Sequence, residues 1–156
     1  MAIAAMLLMA GCGAKRSQAY YDRPSQVLSN NYDGTYVIRT QVRARNASLA
    51  FTEAQRKAMQ EVIFDGVKGA SSDVADLKPL CFDMNAREKH EQYFQVFFQR
   101  EGEWQNYAHL KDKRAGSTEY QRTTAQMVQT VTVTIDRERL KQKLQADGII
   151  PAQGRY

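Results

Sequence analysis

The stretch Val131-Thr132-Val133-Thr134-Ile135-Asp136-Arg137-Glu138-Arg139-Leu140-Lys141-Gln142-Lys143-Leu144 decides the fold, because its period changes in the middle. Val131, Val133 and Ile135 alternate with Thr130, Thr132 and Thr134. A period of two in β-branched residues predicts a strand with one apolar face, and the pattern reaches back to give an expected strand over 121–135. At Asp136 the period lengthens. Asp136 suits an N-cap, and Leu140 and Leu144 recur one helical turn apart. Asp147-Gly148 ends the helix, and Leu144 with Ile149 has the spacing of the apolar contact in a Schellman cap. Arg137, Arg139, Lys141 and Lys143 read as an exposed basic face.

Upstream, Trp104 to Lys111 reads as a strand and Lys113–Ser117 as a turn, so that 104–111 and 121–135 form a long hairpin. Tyr36 to Arg45 also alternates. Tyr36, Ile38, Thr40, Val42 and Ala44 lie on one side, with Arg39, Gln41, Arg43 and Arg45 mostly on the other. The arginine row has two readings, a grip for carboxylates or phosphates or a solvated sheet face. Thr52 with Gln55 has the form of a capping box and opens an expected helix to Lys68, with Ala54, Ala58, Met59, Val62, Ile63 and Val67 as its apolar stripe. Asn85 with Glu88 opens another over 86–100. There Phe94, Val96 and Phe98 also alternate as a strand would, but length and caps favour the helix, in which Val96 fits poorly.

The predicted order is strand, helix, helix, strand, strand, helix. This is an α+β domain over 34–150, with helices packed on a small, largely antiparallel sheet of about three strands. The tail 151–156 is expected to fray.

At the other end, Met1 to Cys12 reads Met-Ala-Ile-Ala-Ala-Met-Leu-Leu-Met-Ala-Gly-Cys. The apolar run from Ala2 to Ala10 is too short for a permanent bilayer span, which takes about 20 residues, and suits a signal-peptide core. Ala10-Gly11 supplies the small residues that a bacterial lipoprotein signal carries before its acylated cysteine. Residues 1–11 are therefore expected to be a signal peptide and Cys12 to carry lipid. No Lys or Arg precedes the run, so the usual basic opening is missing, and a start upstream of Met1 would supply it. Gly13 rather than Asp follows Cys12, which points to an outer-membrane destination. Residues 12–33 are polar and aperiodic, and are expected to be a flexible tether.

The early strand, the Ala-rich segment Glu53-Ala54-Gln55-Arg56-Lys57-Ala58 and the closing strand and helix follow an order of elements over about residues 36–150. In that order they resemble the small domain of bacterial envelope lipoproteins and of FlgT-type flagellar assembly proteins. The resemblance implies a structural or assembly module with no catalytic residues to carry over, and no flagellar role. The middle, Phe82 to Lys113, has no counterpart in it.

A net charge of +5 would ordinarily raise nucleic acid as a partner, but the export signal removes it. The remaining partners are the membrane through lipid at Cys12, envelope proteins, or acidic surface polymers. Cys12 and Cys81 are the two cysteines. If Cys12 is acylated, Cys81 stands alone in the apolar patch Leu80-Cys81-Phe82, where it reads as a small packed hydrophobe. His90 and His109 lie on different predicted elements. No metal-ligand spacing, nucleophile elbow or phosphate loop occurs, so no catalytic residue, metal or cofactor is assigned. Two functions stay open. One is a non-catalytic, lipid-anchored envelope protein with an assembly role, using Arg39, Arg43 and Arg45 or Arg137, Arg139, Lys141 and Lys143. The other is a small periplasmic ligand-binding protein or thiol-dependent enzyme using Cys81.

Overall fold

Thr35–Ala44 (β2) and Gln126–Asp136 (β6) pair antiparallel from Thr35↔Asp136 to Ala44↔Met127, in a computed structural model that describes residues 24–111, 120–123 and 126–152. The alternation sets what each face of this pair does. Ile38, Thr40, Val42 and Ala44 are buried together with Val131, Val133 and Ile135, while Arg39 points to solvent. The first helix, Ala47–Gln60 (α1), lies on that apolar face through Ala50, Ala54, Ala58 and Met59, each 0% exposed. Small side chains at every fourth position let helix and sheet approach closely, so the expected stripe is the real one.

The sheet is larger than expected. Gln26–Asn30 (β1) pairs antiparallel with β2, with a bulge between Val27 and Ser29, and Lys68–Gly69 (β3) adds to β1 in parallel. Beyond β6, Ala108–Leu110 (β4) pairs with Val133–Ile135 and Tyr120–Thr123 (β5) with Gln126–Gln129. Both therefore share the far edge of β6, at opposite ends. The architecture is α+β, as predicted, but the sheet is mixed, fills five lateral positions rather than about three, and follows a different order.

Three boundaries move for physical reasons. Residues 26–30, expected within the tether, form β1. Val27 is 1% exposed there, and Ser25 Oγ donates to Thr40 Oγ1 at 2.6 Å beneath it. Val27 and Leu28 stand side by side between Gln26 and Ser29, so no alternation marks a strand. The expected strand 121–135 is two strands, β5 folding back on β6. The expected strand 104–111 begins as a 3₁₀ turn, Glu103–Asn106. Trp104 is fully buried in that turn and its Nε1 donates to the Gln99 carbonyl at 2.9 Å, a bond that fixes the chain in a turn before β4 starts.

The helices shift as well. Asn46, not Thr52, caps α1, accepting from the Leu49 amide at 2.8 Å. Thr52 sits inside the helix, where its hydroxyl donates back to the Ser48 carbonyl at 3.3 Å. The helix widens into a π-helical turn, Glu61–Asp65, and stops at Gly66 (φ 77°), where a Cβ would come within 2.7 Å of the Leu77 carbonyl oxygen. The expected helix 86–100 is a single turn, Ala86–Lys89 (α2), then Glu91–Phe97 (α3). The Asn85 side chain makes no cap. The Asn85 backbone N–H instead donates to Asp83 Oδ1, and Tyr, Phe and Val are weak helix formers that let α3 end early. Val96 is 62% exposed, the misfit its position predicted.

Arg137–Ala146 (α4) follows the reading closely. Asp136 caps it by accepting from the Arg139 amide at 3.1 Å, and Leu140 and Leu144 are fully buried. Gly148 takes φ 73°, the Ile149 amide donates to Leu144 at 2.9 Å and the Gly148 amide to Gln145 at 3.1 Å, which together make the Schellman cap. The tail does not leave the domain at Pro151, whose carbonyl accepts from Gln145 Nε2 at 3.2 Å. Cys12, the signal segment, the turn at 113–117 and the last four residues lie outside the described residues.

Candidate functional site

The amides of Leu80 and Cys81 donate to the carbonyls of Val62 (3.1 Å) and Ile63 (2.8 Å), pinning the loop after Pro79 against the end of the π-helical turn. Arg137, Lys141 and Gln145 recur every fourth residue along α4 and face this loop. Between the two lies a groove of about 520 Å³, lined also by Ile149, Ile150 and Pro151 beyond the Schellman turn. Leu80 and Ala86 are buried along its lining, whereas Phe82, also lining it, is 67% exposed. The expected apolar patch at 80–82 is thus split, two residues inward and one left open.

Charge in the groove is mainly positive. Lys78, Arg137 and Lys141 line it, with His90. Arg137 Nη2 donates to the Lys78 carbonyl at 3.0 Å, while its Nε is buried without a hydrogen-bond partner. Among the described residues neither the Lys78 nor the Lys141 ammonium has a hydrogen bond or ion pair. The one acid, Asp83, is bound by Lys89, and that hydrogen bond holds its carboxyl below the usual range. Cys81 lines the same groove but is 5% exposed. Burial, reinforced by the Asp83 charge, pushes its thiol up to about 11. A thiol so placed is protonated at neutral pH and is a poor nucleophile. His109 stands apart on β4, exposed.

The basic residues of α4 do not form one exposed face. Spacing of two on a helix sends alternate residues to opposite flanks. Arg137 and Lys141 turn to the groove. Arg139 and Lys143 turn the other way, where Lys143 meets Glu103 at 2.9 Å and Asp147 at 3.2 Å, and Arg139 lies 3.4 Å from Asp136 and over the Tyr107 ring. Reversing Lys143 would set three acids together, so its charge is internal as much as external.

The arginine row is divided too. Arg39 is exposed and donates to Gln26 Oε1 at 2.6 Å, Arg43 is half-buried and engaged, and Arg45 is exposed just past the end of β2. Their face of the sheet carries Thr132 beside Arg39 and Thr130 beside Gln41 in register, with Val37 buried on the same face.

A shallower cleft of about 420 Å³ lies between the π-helical turn and α3, over Phe64, Phe94 and Phe98, with the Arg87 guanidinium 4.5 Å above the Phe64 ring. Among the described residues no cluster of His, Cys, Asp or Glu has a metal-binding arrangement, and no helix is long and apolar enough to cross a membrane. The sequence reading places Arg137 and Lys141 on a basic face, names Cys81 and His90 without joining them to it, and misses Lys78. The i, i+4, i+8 recurrence of Arg137, Lys141 and Gln145 was the one signal for the shared wall. Comparison of the chain with protein-family models, with curated proteins and with solved structures finds no match.

Proposed function

We propose that this chain is a bacterial envelope protein, lipid-anchored in the outer membrane, whose domain binds other envelope components and catalyses no reaction. The observation that carries this reading is Met9-Ala10-Gly11-Cys12 at the end of the apolar run from Ala2. The domain begins with β1 soon after Cys12, so few residues would separate lipid from sheet. The raised Cys81 thiol supports a non-catalytic role. Arg39 and Arg45, exposed on and just beyond β2, are the cations best placed to meet an acidic protein or surface polymer, since complementary charge raises association rates and selects partners.

The experiment is fractionation of cells expressing the native chain and its Cys12→Ser variant, with radiolabelled palmitate as tracer. The native chain takes up label and stays with membranes after a salt wash, whereas Cys12→Ser takes up none and becomes soluble. A Cys12→Ser chain that remains with salt-washed membranes overturns lipid anchoring. A second reading, ligand binding, is favoured by the groove beside α4.

A further inference from the structure

We propose that the groove between the 78–83 loop and α4 binds a single-chain anionic amphiphile, a long-chain carboxylate whose head meets Lys141 and Lys78 and whose chain covers Phe82. The proposal stands on the geometry of the groove and is independent of whether Cys12 carries lipid.

Four observations converge on it. At about 520 Å³ the groove falls within the roughly 300–1,000 Å³ of small-ligand sites. Its walls, Leu80, Ala86, Ile149 and Ile150, are apolar and come from segments held by backbone hydrogen bonds, so the shape exists before any ligand arrives. Its rim carries Lys78, Arg137 and Lys141 against one acid, and that acid, Asp83, is already neutralised by Lys89. The Lys78 and Lys141 ammonium groups have no counter-ion among the described residues, so a carboxylate would complete them. Finally, Phe82 lines the groove with most of its surface in water. Covering an aromatic ring and a few methylenes is worth roughly 25 cal/mol per Å² of apolar surface, which supplies what a lone ion pair in water does not.

A doubly apolar lipid lacks a place for its second chain, and a free small anion would leave Phe82 uncovered. A carboxylate on one acyl chain satisfies both ends of the site. The cleft over Phe64 and Phe94 does not compete, because Arg87 already lies over the Phe64 ring and the acids Glu88 and Glu91 line it.

The test uses the full chain carrying Cys12→Ser, so that covalent lipid cannot occupy the site, and cis-parinaric acid, a fluorescent long-chain carboxylate, as probe. Saturable binding of one probe per chain is expected. Lys78→Glu combined with Lys141→Glu should weaken it at least tenfold, and Phe82→Asp should weaken it similarly. Val96→Asp, which alters an exposed apolar residue outside the groove lining, should leave it unchanged. Circular dichroism and urea titration establish that each variant is folded. Palmitate should displace the probe and hexadecanol should not. Binding that ignores the charge reversal, that falls equally in Val96→Asp, or that hexadecanol displaces as well as palmitate overturns the proposal. Lysophosphatidylglycerol displacing the probe better than palmitate would overturn the carboxylate and assign the head to phosphate. None of these outcomes bears on the membrane fractionation of the native chain.

Discussion

The Tyr93 hydroxyl donates to Asp147 Oδ2 at 2.6 Å, tying the aromatic helix α3 to the C-cap of α4. Asp147 also takes Lys143, which reaches on to Glu103, so one carboxylate gathers α3, α4 and the 3₁₀ turn before β4. Burial, and then this hydrogen bond, push the Tyr93 phenol well above its usual range. Tyr93→Phe removes the bond and leaves the ring against Phe97. It should cost about 1 kcal/mol in urea denaturation, the ordinary net value of one hydrogen bond. An unchanged midpoint would mean that water serves Asp147 equally well.

The two possible caps of α1 make a clean comparison. Asn46→Ala should destabilise the domain by about 1 kcal/mol, because the Leu49 amide loses its acceptor. Thr52→Ala should be close to neutral, since its hydroxyl only bonds back to Ser48 inside the helix. The reverse ranking, measured by the same denaturation, would restore the capping-box reading of Thr52 and Gln55.

Two glycines with positive φ should respond differently to alanine. At Gly148 a Cβ meets nothing within 4 Å, so Gly148→Ala carries only the left-handed backbone cost of roughly 1–2 kcal/mol. At Gly34 (φ 90°) the added Cβ would sit 2.8 Å from the Glu138 Cβ, and the Gly34 carbonyl also accepts from the Arg137 amide at the start of α4. Gly34→Ala should therefore cost clearly more than Gly148→Ala. Equal costs would show that the start of α4 yields to make room.

Cys81 gives a pH prediction. Its thiol in the folded domain is raised to about 11, so the folded state holds the proton through the range where an unfolded thiol loses it. The contribution is fully present below the unfolded pKa of about 8.5 and is lost as pH rises to about 11. In the Cys12→Ser chain, where Cys81 is the remaining cysteine, alkylation by iodoacetamide at pH 8 should be at least tenfold slower than in urea, and should climb steeply above pH 9. Fast alkylation of the folded chain at pH 8 would place the thiol in an open, activated setting.

What the sequence disclosed follows the strength of each period. β6 alternates Val131, Val133 and Ile135, and α4 repeats Leu140 and Leu144 after the Asp136 cap, so α4 lies where its pattern puts it, while the expected strand 121–135 divides into β5 and β6. The stripe of Ala54, Ala58, Met59, Val62 and Ile63 is legible for the same reason, whereas Ala50 falls before the expected start at Thr52 and is not read. β1 sets Val27 and Leu28 side by side without alternation, and β3 is two residues long, so neither has a period to read. The groove was harder still. Its walls come from 78–83 and 137–150, and what unites them is the pair of amide bonds from Leu80 and Cys81 to the π-helical turn, which no local pattern encodes. The basic residues of α4 were visible as charges, but reading them as one face overlooked that a spacing of two divides a helix into flanks.

The long ladder between β2 and β6 has a consequence for how the domain is made. Its partners are far apart in sequence, residues 35–44 against 127–136. As the chain leaves the ribosome, β2 can close at once on β1, its neighbour across a short turn. Its other edge must wait, with a row of open amides and carbonyls, until β6 has been synthesised. Closing so long a loop delays the rewarding contacts and slows folding, and an unpaired strand edge in the meantime invites other chains. The nascent protein therefore depends on being shielded or on finishing quickly, and a truncation just before Gln126 would release a product with its central seam permanently open.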